Sequence, residues 1–299
     1  MFLKKRKVST DPQLRSLVQK AVRRGYAEVA RDALLLLQRV GDDRWIRSRC
    51  VVLAAEECWP ILGDLEIKST PLERIKWILR IAEAEKYKDA AGLGTLAYVA
   101  SEDDLSVLKG AESDQAIKIV AAGIKRPEDY WQWVIVEGES IGKGDYFRKL
   151  RSFTKWPTWP WDKAFVLASA FLSLKTAAQT VNCIEAASTG FPYWIAVDKH
   201  TDEGKQAIRV VAHRLRCTYR QLNWTSYYFE SAIVNRLSES VWWENEKEWR
   251  LRKVGLSILE AEDLWRTARH LILEAVCDEA EALKVRIDQS GQRDSSLFA

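Results

Sequence analysis

Apolar residues recur every three to four positions along most of the chain, which is the spacing of one face of an α-helix. Asp11 and Pro12 form a cap and a first-turn proline ahead of an apolar stripe at residues 14–22. Residues 70–73 (TPLE) and 257–260 (SILE) are capping boxes that open two further helices. The pattern predicts an all-α fold, a multi-helix bundle or array, with two helical halves.

The helical pattern divides the chain into five segments. They are a basic N-terminal tail at 1–10, a helical domain at 11–125, a Trp-, Pro- and Gly-rich connection at 126–161, a second helical region at 162–287 and a flexible tail at 288–299. We expect the second region to end in one helix from about 257 to 287, roughly 40 Å long at about 1.5 Å per residue. Such a helix could serve as an oligomer contact.

Strand signals are few. Only residues 134–136 and 194–197 are candidates, and both are too short to build a sheet. Helices are instead expected at about 103–109, 201–214 and 225–237.

Composition narrows the function without identifying it. The 299 residues include 46 Lys and Arg against 42 Asp and Glu, a net charge of +4, so a nucleic-acid surface would need local clustering of cations. Five scattered cysteines without a CxxC pair are typical of reduced thiols in the cytosol. The basic N-terminal run lacks an apolar continuation, and no stretch approaches the ~18 apolar residues of a membrane span. We therefore expect a cytoplasmic protein that does not enter membranes.

Residues 41–59 predict a buried helix with a basic start and an acidic end. Gly41 ends the preceding helix, and Arg44 and Arg47 lie in the first turns while Glu56 and Glu57 lie in the last. Cations at a helix start oppose the helix dipole, so a partner helix, an anion or no partner at all could account for them. We include Arg44 and Arg47 in the candidate nucleic-acid surface.

The same segment resembles a known family. The matching residues are Trp45-Ile46, Arg49, Val51 and Ala54-Ala55-Glu56-Glu57, after a helix closed by Gly41. They resemble the helical region that follows the ATPase core in RarA/MgsA-type AAA+ proteins, which are relatives of clamp loaders. Ser48 and Cys50 depart from the family pattern, and the resemblance spans about residues 23–101. It implies DNA-linked work, self-association and a larger complex that includes an AAA+ motor.

Motifs for catalysis are weak. Residues 138–144 (GESIGKG) have neither the spacing nor the hydroxyl residue of a P-loop, so the resemblance implies a chain with the helical part of the family and without its motor. Asp64, Glu66 and Lys68 fit the DxExK order of Mg²⁺-dependent nucleases, but they lie between two helices and not on a strand, which favours a solvated loop. His200, His213 and Cys217 lack a fourth ligand for zinc. We predict no catalytic residue, metal or cofactor.

Two aromatic and basic stretches remain. They contain the candidate nucleic-acid-binding residues Lys155, Trp156, Trp159, Trp161, Arg214, Arg216, Arg220 and Trp224. Arginine beside aromatic rings is used to bind single-stranded nucleic acid, but it also forms protein–protein hot spots and half-buried core. The sequence leaves these three interpretations open.

The combined hypothesis is a non-catalytic DNA-associated accessory or oligomerisation protein of replication, repair, mobile-element or defence complexes. DNA is favoured over RNA as its partner. One alternative is an interaction scaffold that binds no nucleic acid, and another is the Mg²⁺-dependent nuclease.

Overall fold

The computed structural model describes residues 10–66, 68–177, 179–185, 187, 190–235 and 237–291. These residues form α-helices joined by three 3-10 turns and one π turn, without a β-strand, so the all-α prediction is confirmed. The α-helices are α1 Pro12–Arg23, α2 Ala27–Arg39, α3 Asp43–Glu57, α4 Pro71–Glu83, α5 Asp89–Ser101, α6 Ala111–Lys125, α7 Pro127–Ser140, α8 Gly144–Phe153, α9 Pro160–Lys175, α10 Asp202–Arg214, α11 Tyr219–Ser226, α12 Val241–Lys253, α13 Ile258–Ala275 and α14 Cys277–Gly291.

The helix starts follow the capping residues. The Asp11 carboxylate accepts a hydrogen bond from the Leu14 backbone N–H at 3.0 Å, and Thr201 caps α10 in the same way. Both predicted capping boxes form, at Thr70 and at Ser257. Gly41 follows α2 with a φ of 82°, the left-handed conformation that lets the chain turn into α3.

One hydrophobic core extends from Leu14 of α1 to Ile287 of α14. Helix α5 lies at its centre, because it packs against α6, α9 and α12, and all but one of its residues after Asp89 are buried. A smaller apolar cluster around Tyr228 and Trp243 adjoins it. Within the described ranges, none of the helices combines the length and the apolar character that crossing a bilayer requires.

The segment at 126–161, expected to be a connection, is largely helical. It forms α7 and α8, and the strand candidate at 134–136 lies inside α7. Gly138 is not a loop signal, because a Cβ there would lie 2.2 Å from the ring of Phe147. Its lack of a side chain lets α7 and α8 approach each other closely.

Four other expected elements also differ. The strand candidate at 194–197 lies mostly in the 3-10 turn Tyr193–Ala196, and the helix expected at 103–109 is reduced to the 3-10 turn Leu105–Val107. The helix expected at 225–237 is instead the end of α11 followed by the π turn Tyr227–Ser231. The single C-terminal helix is divided at the buried Val276 into α13 and α14.

The C-terminal break has a packing reason. Helix α13 packs on α10 and α11, whereas α14 packs on α2 and on the 3-10 turn Tyr193–Ala196. With the break at Val276, the two helices bury their apolar residues mainly against different neighbours, although Trp265 of α13 also stacks on Trp194 of the 3-10 turn, with ring centroids 6.3 Å apart.

Candidate nucleic-acid interface

Helices α7, α8 and α9 enclose, with the end of α6, a cleft of about 690 Å³. The cleft is lined by Gly123, Ile124, Pro127, Glu128, Trp131, Arg148, Arg151, Ser152, Thr154, Lys155, Pro160, Lys163 and Leu167. Four of these side chains are cationic and one is anionic. The cleft lining therefore provides the local clustering of cations that a nucleic-acid surface would need, given the low net charge of the whole chain.

The cations at the cleft are accessible to a ligand. Lys155 and Lys163 are exposed and form no ion pair with another described residue. Arg148 pairs with Asp145 at 2.7 Å and with Glu139, and Arg151 pairs with Glu128. All of these paired groups are close to half exposed or more. Exposed ion pairs are worth about 0–1 kcal/mol, so a phosphate could replace the carboxylates at little cost.

The three tryptophans of the first aromatic stretch lie in three different environments. Trp156 is buried against Phe153, and the guanidinium of Arg47 lies over its ring at 4.6 Å. Trp159 is 71% exposed. Trp161 is half-buried, with its ring centroid 4.6 Å from that of Tyr98.

The candidate residues at or near the cleft come from the first aromatic stretch, 155–161, and from the start of α3. Lys155 lines the cleft, and Trp159 precedes Pro160, which also lines it. Arg47 joins this face through Trp156, the neighbour of Lys155. Arg44 is exposed near the start of α3.

The arginines of the second stretch lie elsewhere. Arg214, Arg216 and Arg220 are exposed around the corner between α10 and α11, and none of them lines the cleft. Arg216 adopts a φ of 54° at this corner. The structure thus divides the candidate set between two surfaces.

Arg250 of α12 connects the two aromatic stretches inside the protein. Its guanidinium carbon lies 4.5 Å from the ring of Trp224 and 5.3 Å from that of Trp161. Its Nε donates to the Glu246 carboxylate at 3.4 Å. Trp161 and Trp224 therefore each contact the same internal arginine, which makes them structural groups on which a nucleic acid could not stack freely.

The acidic end of α3 belongs to a buried ionic centre, which consists of Arg23, Glu56, Glu57 and Lys88. Arg23 donates to Glu57 through Nε and to Glu56 through Nη2, each at 2.5 Å. The Lys88 ammonium lies 3.0 Å from Glu57. Burial alone would raise the pKa of Glu56, but Arg23 and then Lys88 outweigh it and lower that pKa to about 2. The centre joins α1, α3 and the start of α5.

A second group of charges, in which Lys20 is buried and Asp198 and Lys199 are half-buried, surrounds the segment before α10. Lys20 pairs with Asp198, and the cation of Lys199 lies 4.4 Å from the ring of Trp224 and 4.2 Å from that of Tyr227. Burial lowers the pKa of Lys199 to about 8, although Asp198 opposes this change. These contacts fix the π turn and α11 against α1, and they leave His200 hydrogen-bonded to Asp198.

The weak catalytic motifs have structural partners. Asp64 is paired with Arg80 at 3.0 Å and Glu66 with Lys149 at 3.6 Å, while Lys68 is exposed. Asp64 is the last residue of the 3-10 turn Trp59–Asp64, and Glu66 and Lys68 lie between this turn and α4, so none of the three is on a strand. Over the described part of the chain, no group of three or more His, Cys, Asp and Glu side chains is arranged to hold a metal ion.

Three of the four cations that line the cleft are not among the residues predicted from the sequence, namely Arg148, Arg151 and Lys163. Their spacing in the sequence indicates a shared helix face. Arg148 and Arg151 are three residues apart on the amphipathic helix α8, and they precede Lys155 by about two turns and one turn respectively. The expectation of a connection at 126–161 obscured that helical spacing.

Comparison with protein-family models, with curated proteins and with solved structures gave no match for this chain.

Proposed function

We propose that this protein is a DNA-associated accessory protein that contacts the DNA backbone through the cleft between α7, α8 and α9. The observation that carries the proposal is the cleft lining, in which Arg148, Arg151, Lys155 and Lys163 face a single acidic residue, Glu128. The resemblance of residues 23–101 to RarA/MgsA-type proteins supports DNA as the partner. It also supports a cytoplasmic role in replication, repair, mobile-element or defence complexes beside an AAA+ motor.

Phosphates suit this cleft for electrostatic reasons. DNA binding by lysine and arginine gains free energy from the release of counterions, and each neutralised phosphate contributes to the salt dependence. Lys155 and Lys163 are the cations of the cleft without a carboxylate partner among the described residues, so they can bind phosphates without breaking an ion pair.

The test measures DNA affinity against salt concentration for the whole chain. The double variant Lys155→Glu, Lys163→Glu should bind DNA more weakly, and its salt slope should fall by about 0.7 for each single-strand phosphate that the protein no longer neutralises. The charge-matched control is the pair of changes Lys68→Glu and Lys76→Glu, at two exposed lysines outside the cleft, which alters the net charge equally and should keep the original slope. Undetectable binding by the unmodified chain, or equal slopes in the double variant and the control, would remove the proposal.

A protein-binding scaffold is the second candidate, and the 71% exposure of Trp159 favours it. Exposed tryptophans are frequent anchors of protein interfaces. Light scattering of the chain with and without the change Trp159→Ala distinguishes the two functions. A self-association that disappears with Trp159, without any DNA binding, would establish the scaffold and reject DNA.

A further inference from the structure

The cleft between α7, α8 and α9 has two chemically different levels. Trp131 and Leu167 are only 2% and 4% exposed, so they form an apolar floor with the half-buried Ile124. The cationic side chains are exposed and therefore lie at the rim. A site with an apolar floor and a cationic rim matches a ligand that carries a flat, weakly polar group next to a negative charge.

We propose that the cleft admits an unpaired nucleobase of single-stranded DNA, while the adjoining phosphates lie on the cationic rim and Trp159 stacks on a neighbouring base. This inference rests on the proposed function and specifies the form of DNA that the site binds. A volume of about 690 Å³ lies within the range of sites for small organic groups, about 300–1,000 Å³.

Duplex DNA cannot offer such a group to the cleft. Its bases are paired and stacked inside the helix, so extruding one requires the energy of unpairing and unstacking. A single strand has already unstacked much of its base surface. The rim alone would bind both forms through their phosphates, whereas the floor and Trp159 would favour the single strand.

The position of Trp159 suits a stacking platform. Pro157 precedes it by two residues, and Pro160 follows it as the first residue of α9, so the backbone on both sides has a restricted φ. A preorganised backbone at Trp159 reduces the conformational entropy that is lost when its ring binds a base. Aromatic stacking depends little on the identity of the base, which suits an accessory protein that binds single-stranded DNA of any sequence.

The experiment compares three ligands of about 16 nucleotides, the upper end of known single-strand sites. They are oligo(dT), an abasic strand of the same length and charge, and the oligo(dT)–oligo(dA) duplex. For the unmodified chain, we expect the abasic strand and the duplex to bind on the order of tenfold more weakly than oligo(dT).

Two variants locate the effect. Trp159→Ala should weaken oligo(dT) binding several-fold and leave the abasic strand unchanged, and Leu259→Ala on α13, a similarly exposed apolar residue at 73%, should change neither. The double variant Lys155→Glu, Lys163→Glu should weaken the binding of all three ligands alike.

Equal binding of oligo(dT) and the abasic strand would overturn base insertion and leave backbone binding intact. Absence of binding by all three ligands would overturn both proposals.

Discussion

The buried ionic centre and the cationic cleft both pair arginine with glutamate, but the pairs in the centre are buried and those at the cleft are exposed. In the centre, Arg23 is 5% exposed and holds two carboxylates, one of which, Glu57, has no exposed surface. At the cleft, Arg151 is 45% exposed and its partner Glu128 is 77% exposed. The first pairing is enclosed by the packed helices, and the second is open to water and salt.

The difference indicates which charges can perform a binding function. A buried charge pair cannot be separated without leaving an uncompensated charge in the interior, at a cost of about 3–5 kcal/mol. An exposed pair contributes about 0–1 kcal/mol and can exchange its partner. The centre therefore fixes α1, α3 and α5 in place, while the cleft keeps its cations available for an external anion.

Arg23→Ala should produce the largest change in stability. Among the described residues, the substitution leaves Lys88 as the one cation within 4 Å of Glu56 and Glu57, so we expect the free energy of unfolding to fall by about 3–5 kcal/mol. Urea unfolding measures this decrease. Arg266→Ala on α13, whose side chain is 70% exposed and also pairs with two carboxylates, is the matched control. A decrease below about 1 kcal/mol for Arg23→Ala would show that the centre is not structural.

Glu56→Gln should change the acid sensitivity of the protein. The folded pKa of Glu56, about 2, lies below its ordinary value of 4.5, so its ionised form stabilises the fold above pH 4.5. That contribution is lost as pH falls from 4.5 towards 2, and it amounts to about 3 kcal/mol at 1.36 kcal/mol per pH unit. Urea unfolding between pH 6 and pH 2 should therefore be less pH-dependent in the variant. Identical slopes for the two proteins would contradict the assignment.

Local signals predicted four of the helix starts in the described part of the chain. The Asp11 cap, the Thr70 and Ser257 boxes and Thr201 depend on residues three or fewer positions away, so the sequence contains the whole interaction. Gly138 shows the limit of such reasoning. It resembles a loop residue in the sequence, and only the ring of Phe147 on the next helix explains its place inside α7.

The candidate site could be predicted only in part for the same reason. Sequence analysis identified the segment from Lys155 to Trp161, but the burial of Trp156, the exposure of Trp159 and the contact of Trp161 with Arg250 arise from packing between distant helices. The sequence also predicted that Glu56 and Glu57 lie at the acidic end of a buried helix. Their partners Arg23 and Lys88 lie more than 30 residues away on each side, beyond any local pattern.

Glu128→Gln should have the smallest effect, and it tests the cleft half of the comparison. Glu128 is the one carboxylate among the described residues that line the cleft and is paired with Arg151, so its neutralisation frees a cation for phosphate. We expect single-stranded DNA to bind up to about fivefold more tightly, while the free energy of unfolding changes by less than about 1 kcal/mol. Glu262→Gln, an exposed carboxylate paired with Arg266 on α13, should alter neither quantity.

Unchanged or weaker DNA binding by Glu128→Gln would mean that Arg151 does not contact the DNA. A stability loss comparable to that of Arg23→Ala would mean that the exposed pair is structural.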